Sequence, residues 1–335
     1  MKNFNLYFFC VLALNFQIIS GQVDKIADLV KQGIDHHDRG EFDQAIEIYQ
    51  NALAIDENSS LANYEIAYTY LSNNQYELAE KYSKRVLDLK NGNLLEGYIA
   101  YGNSLDLQGK NKKAIQAYEE GLKTFDNYLL HYNLAMAHYN SENYDKASES
   151  AINAILNNSS HASSHLILSK IMVNKNVRIK AMLPLYFFLM IEPNSERAGI
   201  EYKNLRNYLA YGVTQKDNNN VDITVPMNGD VDFGAAEMMI SLLKASENLE
   251  KNEGKSDMEL FADNNHKLFK ILGELKKENT GFWWDFYVTF FYDMAKENLT
   301  TPYSYYISLS KGQEVLDWLD KNSNDFERFS GWLTE

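Results

Sequence analysis

The sequence predicts an all-α protein: a stack of helix–turn–helix pairs followed by a small helical C-terminal domain. Three observations carry that prediction. Ala45, Ala79, Ala114, Ala147 and Ala181 recur at steps of 34, 35, 33 and 34 residues. Twelve residues ahead of each stands a second small residue: Gly33, Ala67, Gly102, Ala135 or Ser169. Between the two, Gly40, Asn74, Gly109 and Asn176 mark a turn. A period near 34 is the length of two short helices and their turns, repeated so that each unit buries its apolar side on the next. Where two helices cross closely no large side chain fits, so each contact needs a small residue. Glycine readily enters, and asparagine tolerates, the left-handed conformation that reverses a chain after a helix.

Ahead of the stack, MKNFNLYFFCVLALNFQIIS reads as a secretory signal. Lys2 gives a positive start, and Leu6 to Ile19 is an apolar run ending at the small residues Ser20 and Gly21. The run falls short of the roughly 20 apolar residues that a membrane span requires. The expected processed segment is 1–21. Cys10 is the only cysteine and lies inside the run, so the processed chain has no disulfide and depends on core burial alone.

The units fall at about 26–59, 60–94, 95–127, 128–161 and 162–195. Phe42, Tyr76 and Tyr144, three residues before their alanines, are expected to wedge between the two helices of a pair. Ala52, Gly121 and Ala154, seven residues after theirs, are small again. With these spacings the chain resembles the tetratricopeptide repeat family, and GEFDQAIEIYQNALAIDEN is the stretch most like it. The resemblance implies five repeats in a right-handed α-solenoid. The proline that usually closes each repeat survives only as Pro193, and the usual first-helix tryptophan is replaced throughout. The fifth unit has Arg178 where an aromatic belongs and an interior Pro184, which marks it as a degenerate terminal repeat. A further helix over 196–211 is expected to cap it.

Residues 212–234 are polar, rich in Asn and Asp, and broken by Pro226, so they read as a linker or extended segment. Val221, Ile223 and Val225 alternate as one short strand does, without an evident pairing partner. The remainder, 235–335, is helical by its three- and four-residue apolar spacing, and Ser256 to Glu259 has the form of a capping box. GFWWDFYVTFFYDMAKEN holds eight aromatics between Phe282 and Tyr292. It reads either as a central helix buried on most sides or as an exposed platform of Trp283, Trp284 and Tyr287 for a sugar or peptide. The pattern of this tail also resembles that of exported tetratricopeptide-repeat proteins of Gram-negative bacteria.

For function, the resemblance implies a docking scaffold for a protein or peptide. In that family the first helix of each pair lines the concave face. Carried over position by position, this selects Tyr64 and Tyr68, then Asn103 and Asp106, then Tyr132, Asn133, Met136, Tyr139 and Asn140, then Lys170 and Asn174. Asparagine bonds both N–H and C=O of an extended chain, and tyrosine adds apolar area with a polar tip. The family's charged clamp for C-terminal carboxylates is missing, since Val30, Ile34 and Tyr64 stand at its first positions.

A formal charge of −14 with pI near 5.0 argues against nucleic acid and anionic membranes, which require basic patches. No catalytic motif and no metal or cofactor motif is present, so the expectation is a non-enzymatic, exported protein, periplasmic or extracellular, without cofactor. His161 and His165 have the four-residue spacing of a helical metal pair but lack an acidic partner. Two alternatives stay open: a carbohydrate- or envelope-binding module using the aromatic tail, and an enzyme of unknown class within 235–335.

Overall fold

The computed structural model describes residues 22–216, 220–224, 230–248, 252–277 and 279–334. The expected signal segment, with Cys10, lies outside them, as does Pro226. The chain divides into two compact units, Met1–Asn143 and Tyr144–Glu335.

The described part of the first unit is seven helices: α1 (22–38), α2 (Phe42–Ile55), α3 (Ser60–Ser72), α4 (Tyr76–Leu89), α5 (Leu94–Leu107), α6 (Asn111–Leu122) and α7 (Tyr128–Asn140). From α2 to α6 each packs on its successor, and α3 also lies against α5 and α5 against α7. Ala45, Ala79 and Ala114 are fully buried, as are Ala52 and Ala67. Helices start where the sequence supplies a cap: the Ser59 hydroxyl accepts the Ala62 N–H at 3.3 Å, and the Asn127 side chain accepts the Leu129 N–H at 2.8 Å. They end in left-handed residues as expected, with φ of +75° at Gly40, +57° at Asn74 and +71° at Gly109. The fourth turn uses Glu142, at φ +58°, where the sequence offers neither Gly nor Asn.

One packing expectation is corrected. Phe42 and Tyr76 are only half-buried, at the N-termini of α2 and α4. The aromatics driven into the helix crossings are Tyr49 and Tyr118, fully buried over Gly33 and Gly102. A Cβ at Gly33 would lie 2.3 Å from the Tyr49 ring, and one at Gly102 2.1 Å from the Tyr118 ring.

The second unit opens with α8 (Tyr144–Asn157), α9 (Ala162–Asn174), α10 (Arg178–Ile191) and α11 (Glu196–Ala210). Here Tyr144 donates to Asn174 Oδ1 at 3.4 Å and is not a buried wedge. Two short strands follow, β1 (Val213–Gln215) and β2 (Val221–Ile223), paired antiparallel with Val213 opposite Ile223. The segment expected as a linker thus folds back on itself. Gly212 makes this possible: its φ is +77°, and a Cβ there would sit 2.2 Å from the Thr224 carbonyl oxygen. Then come α12 (Gly234–Ala245), α13 (Asp257–Lys276), a π-helical turn over Trp283–Val288 that runs into α14 (Thr289–Lys296), α15 (Thr300–Tyr306), α16 (Gln313–Lys321) and α17 (Ser323–Trp332). The capping box at the head of α13 is formed by Ser256 and Glu259 in both directions.

The expected boundary at 212–234 is also corrected, because α12 to α17 and α8 to α11 form one compact unit. Arg178 shows why. Its guanidinium donates to Glu237 Oε2 at 2.6 Å, to the Glu237 and Tyr211 carbonyls and to Ser241 Oγ, and Glu237 Oε1 accepts the Ile179 N–H. Both side chains are over nine-tenths buried. An arginine replaces the usual aromatic because α12 covers this end of the fifth repeat. Tyr186 and Phe187 of α10 enter an aromatic core with Phe269, Phe291 and Tyr303. The expected further helix is α11, which packs on α10 and whose Tyr202 also lies edge-on against Phe261 of α13. No helix among the described residues is long and apolar enough to cross a membrane.

Candidate functional site

The residues left exposed by these packings are informative. In the first unit Leu61, Tyr68 and Leu107 are 40, 46 and 55% exposed on α3 and α5. Tyr68 and Leu107 sit at repeat offsets that the resemblance assigns to the inner face, and Leu61 lies seven residues before Tyr68, about two turns along the same side of α3. Tyr68 stacks between His37 (5.0 Å) and Tyr64 (6.2 Å), forming a short ladder of rings across α1 and α3. His37 Nδ1 is 2.8 Å from Thr69 Oγ1, which holds the imidazole in place. Burial and the carboxylates of Glu65 and Glu96 push the Tyr64 phenol up to about 12.

On α5, Asn103 Oδ1 accepts the Tyr118 hydroxyl at 2.7 Å. Asp106 lies one turn on. Its Oδ1 is shielded from solvent with no hydrogen-bond partner among the described residues, and burial raises its carboxyl above the usual range. On α7, Tyr132, Asn133, Met136 and Tyr139 are half-buried and Asn140 is exposed. The structure therefore describes Tyr64, Tyr68, Asn103, Asp106 and these five on consecutive first helices of one unit.

Lys170 and Asn174 belong to the second unit and are engaged there. Lys170 Nζ lies 3.8 Å from Glu201 Oε1, and the Asn174 amide donates to the Lys170 carbonyl. Sequence reasoning passed over His37, Leu61, Glu96 and Leu107. For two of them the signal was the register itself: His37 shares its offset within the repeat with Asp106, and Leu107 with Asn140, whereas Leu61 and Glu96 share an offset at which no residue was selected.

The aromatic tail is not an exposed platform. Trp284 is 4% exposed and stacks on Phe233 at 4.4 Å, with the rings nearly parallel. Tyr287 is fully buried. Trp283 is half-buried, with Lys180 Nζ 5.6 Å from its ring. The wide π turn explains the change, for it carries rings to several faces of a segment that is enclosed on most sides. Nor do His161 and His165 pair for a metal. His161 Nδ1 meets Ser164 Oγ at 2.8 Å. His165 Nε2 is 2.9 Å from the Ser159 carbonyl, which can only accept, so Nε2 carries the proton and Nδ1 accepts the Tyr287 hydroxyl at 2.6 Å. Burial lowers the His165 pKa to about 4. Among the described residues no group of three or more His, Cys, Asp and Glu is placed to hold a metal ion.

Residues 36–93 and 100–168 match sequence profiles of the tetratricopeptide repeat. Similar solved structures include PilF of Pseudomonas aeruginosa (17% identity, TM-score 0.48, covering 56% of this chain and 90% of that one). They also include the thermophilic tetratricopeptide-repeat protein TTC0263 of Thermus thermophilus (16%, 0.47, 54% and 98%). A third is MamA of Desulfovibrio magneticus RS-1 (18%, 0.43, 50% and 93%). No curated protein sequence matches the chain. With the alanine register buried, the left-handed turns at their predicted places and two profiles matched in tandem, residues 36–93 and 100–168 form tetratricopeptide repeats.

Proposed function

We propose that this protein is an exported, non-enzymatic scaffold that binds an extended protein segment along the first-helix face of its first unit. The observation that carries the reading is the exposure of Leu61, Tyr68 and Leu107 there, beside the half-buried Tyr64, Tyr132 and Tyr139, in a unit whose other large apolar side chains are mostly packed away. Scattered apolar exposure is ordinary; large side chains grouped on the first helices of successive repeats form a surface that an extended chain can follow. Tyrosine suits this role because it contributes contact area at low conformational cost and keeps a hydrogen-bonding tip. The export reading rests on the N-terminal charge and apolar run alone.

Tyr68→Ala combined with Tyr132→Ala tests the binding face. Partner recovery by affinity capture from the cell envelope should fall about tenfold or more, with helical circular dichroism and melting temperature nearly unchanged. Unchanged recovery would remove this face from the function. Fractionation of cells, with the N-terminus read by mass spectrometry, tests export: a chain retained in the cytoplasm with Met1 intact would refute it.

A further inference from the structure

Charge is divided unevenly between the first and second helices of the repeats from residue 60 onward in this unit, unlike the first repeat, where Lys25 and Lys31 lie on α1 and α2 has no lysine or arginine. Between residues 60 and 143 the lysines and arginines are Lys81, Lys84, Arg85, Lys90, Lys110, Lys112, Lys113 and Lys123. All lie on α4 or α6 or in the turns beside them. The first helices α3, α5 and α7 carry no Lys or Arg, but they carry Glu65, Glu96 and Asp106. On the preceding helix α1, Asp38 faces the same region, since its charge acts on Glu65 and on Tyr49.

None of these four carboxylates is in an ion pair among the described residues, whereas Glu41, Glu80, Asp88 and Glu120 of the same unit all are. The rings of Tyr64 and Tyr68 stand among them. Burial raises the carboxyls of Glu65 and Asp106, and the shielded oxygen of Asp106 lacks a donor among the described residues.

Resting on the face proposed above, we infer that its occupant is a basic segment: an extended stretch of another protein bearing lysine or arginine side chains between apolar ones. The match is one of charge and of surface chemistry. Ammonium or guanidinium groups supply the donors that Glu65, Glu96 and Asp106 lack, and the same cations are attracted to the faces of Tyr64 and Tyr68. Leu61 and Leu107 take the apolar side chains. An acidic segment would instead meet unscreened carboxylates at short range, which disfavours it strongly.

The test uses the purified protein and three fluorescein-labelled peptides: repeats of Lys-Gly-Leu, and the same with Gln or Glu in place of Lys. Fluorescence anisotropy should show the lysine peptide binding about tenfold or more tighter than the glutamine peptide, and the glutamate peptide binding weakest. Glu96→Gln with Asp106→Asn should reduce the lysine preference several-fold, Glu65 and Asp38 supplying what remains. These substitutions are close in shape and remove unpaired charge, so the protein should melt at or above its original temperature. Tyr68→Ala should weaken the lysine and glutamine peptides alike.

If the glutamine peptide binds as well as the lysine peptide and Tyr68→Ala weakens both, the basic partner is wrong and the binding face stands. If the lysine preference survives the two carboxylate substitutions undiminished, the attraction belongs to the net charge of −14 and this inference falls. If Tyr68→Ala also has no effect, the binding face falls with it.

Discussion

At Gly102 the Cβ of an alanine would meet the Tyr118 ring at 2.1 Å, and at Gly33 one would meet the Tyr49 ring at 2.3 Å. The second repeat solves the same contact differently, with Ala67 at the glycine position and Ser83, fully buried, at the tyrosine position. Glycine therefore goes with tyrosine in the first and third repeats, and alanine with serine in the second. This pairing was written in the sequence at a constant sixteen-residue separation, but the stronger alternation around the alanines drew attention to Phe42 and Tyr76 instead. Gly102→Ala alone should destabilise the first unit by about 1–3 kcal/mol through overpacking. Combining it with Tyr118→Ser should cost less than the sum of the single changes, with a coupling of about 1 kcal/mol or more. Urea unfolding of the four proteins of the cycle measures this, and additive effects would show that the two side chains do not share the space.

Among the elements, α10 gave least away in advance. Its amphipathic pattern is faint because most of it is buried, from Ile179 to Leu189. A helix covered on all sides shows no stripe from which its partners can be read. Arg178 was visible as an exception to the repeat, but its partner Glu237 lies 59 residues away on α12, beyond the reach of any local pattern. Arg178→Met should destabilise the second unit by about 3–5 kcal/mol, because Glu237 is left charged and buried. Replacing Glu237 by Met as well should recover most of that loss, since two apolar side chains fill the space without an unmatched charge. Near-ultraviolet circular dichroism during chemical denaturation reports on the aromatic core beside this pair. A double variant no more stable than Arg178→Met would refute the explanation.

For the whole molecule, the helix-pair stack was legible from spacing, and the first-helix face followed from it through the family resemblance. The division into units was not legible. It depends on side chains far apart in sequence, such as His165 with Tyr287 and Tyr186 with Asn265, whereas composition drew the boundary at the polar segment that folds into β1 and β2. The His165 contact also ties stability to acidity. The folded-state pKa of about 4 lies below the ordinary value of 6.5, so the unfolded chain takes up a proton first as pH falls. The contribution is complete above pH 6.5 and is lost progressively down to about pH 4, amounting to about 3 kcal/mol. His165→Gln should flatten the fall in melting temperature over that window. An unchanged slope would mean that other groups govern acid sensitivity.

The seating of α12 and its followers on the fifth repeat has an evolutionary corollary. Solenoids commonly gain and lose whole units by duplication or deletion, because every unit meets only its neighbours. An extra unit inserted after Ile191 would part Arg178 from Glu237 and Tyr186 from Asn265, stranding a charge and a ring at a junction built for neither. Variation in repeat number among homologous chains is therefore expected upstream of Ala162, while the stretch from α9 onward is inherited as a block.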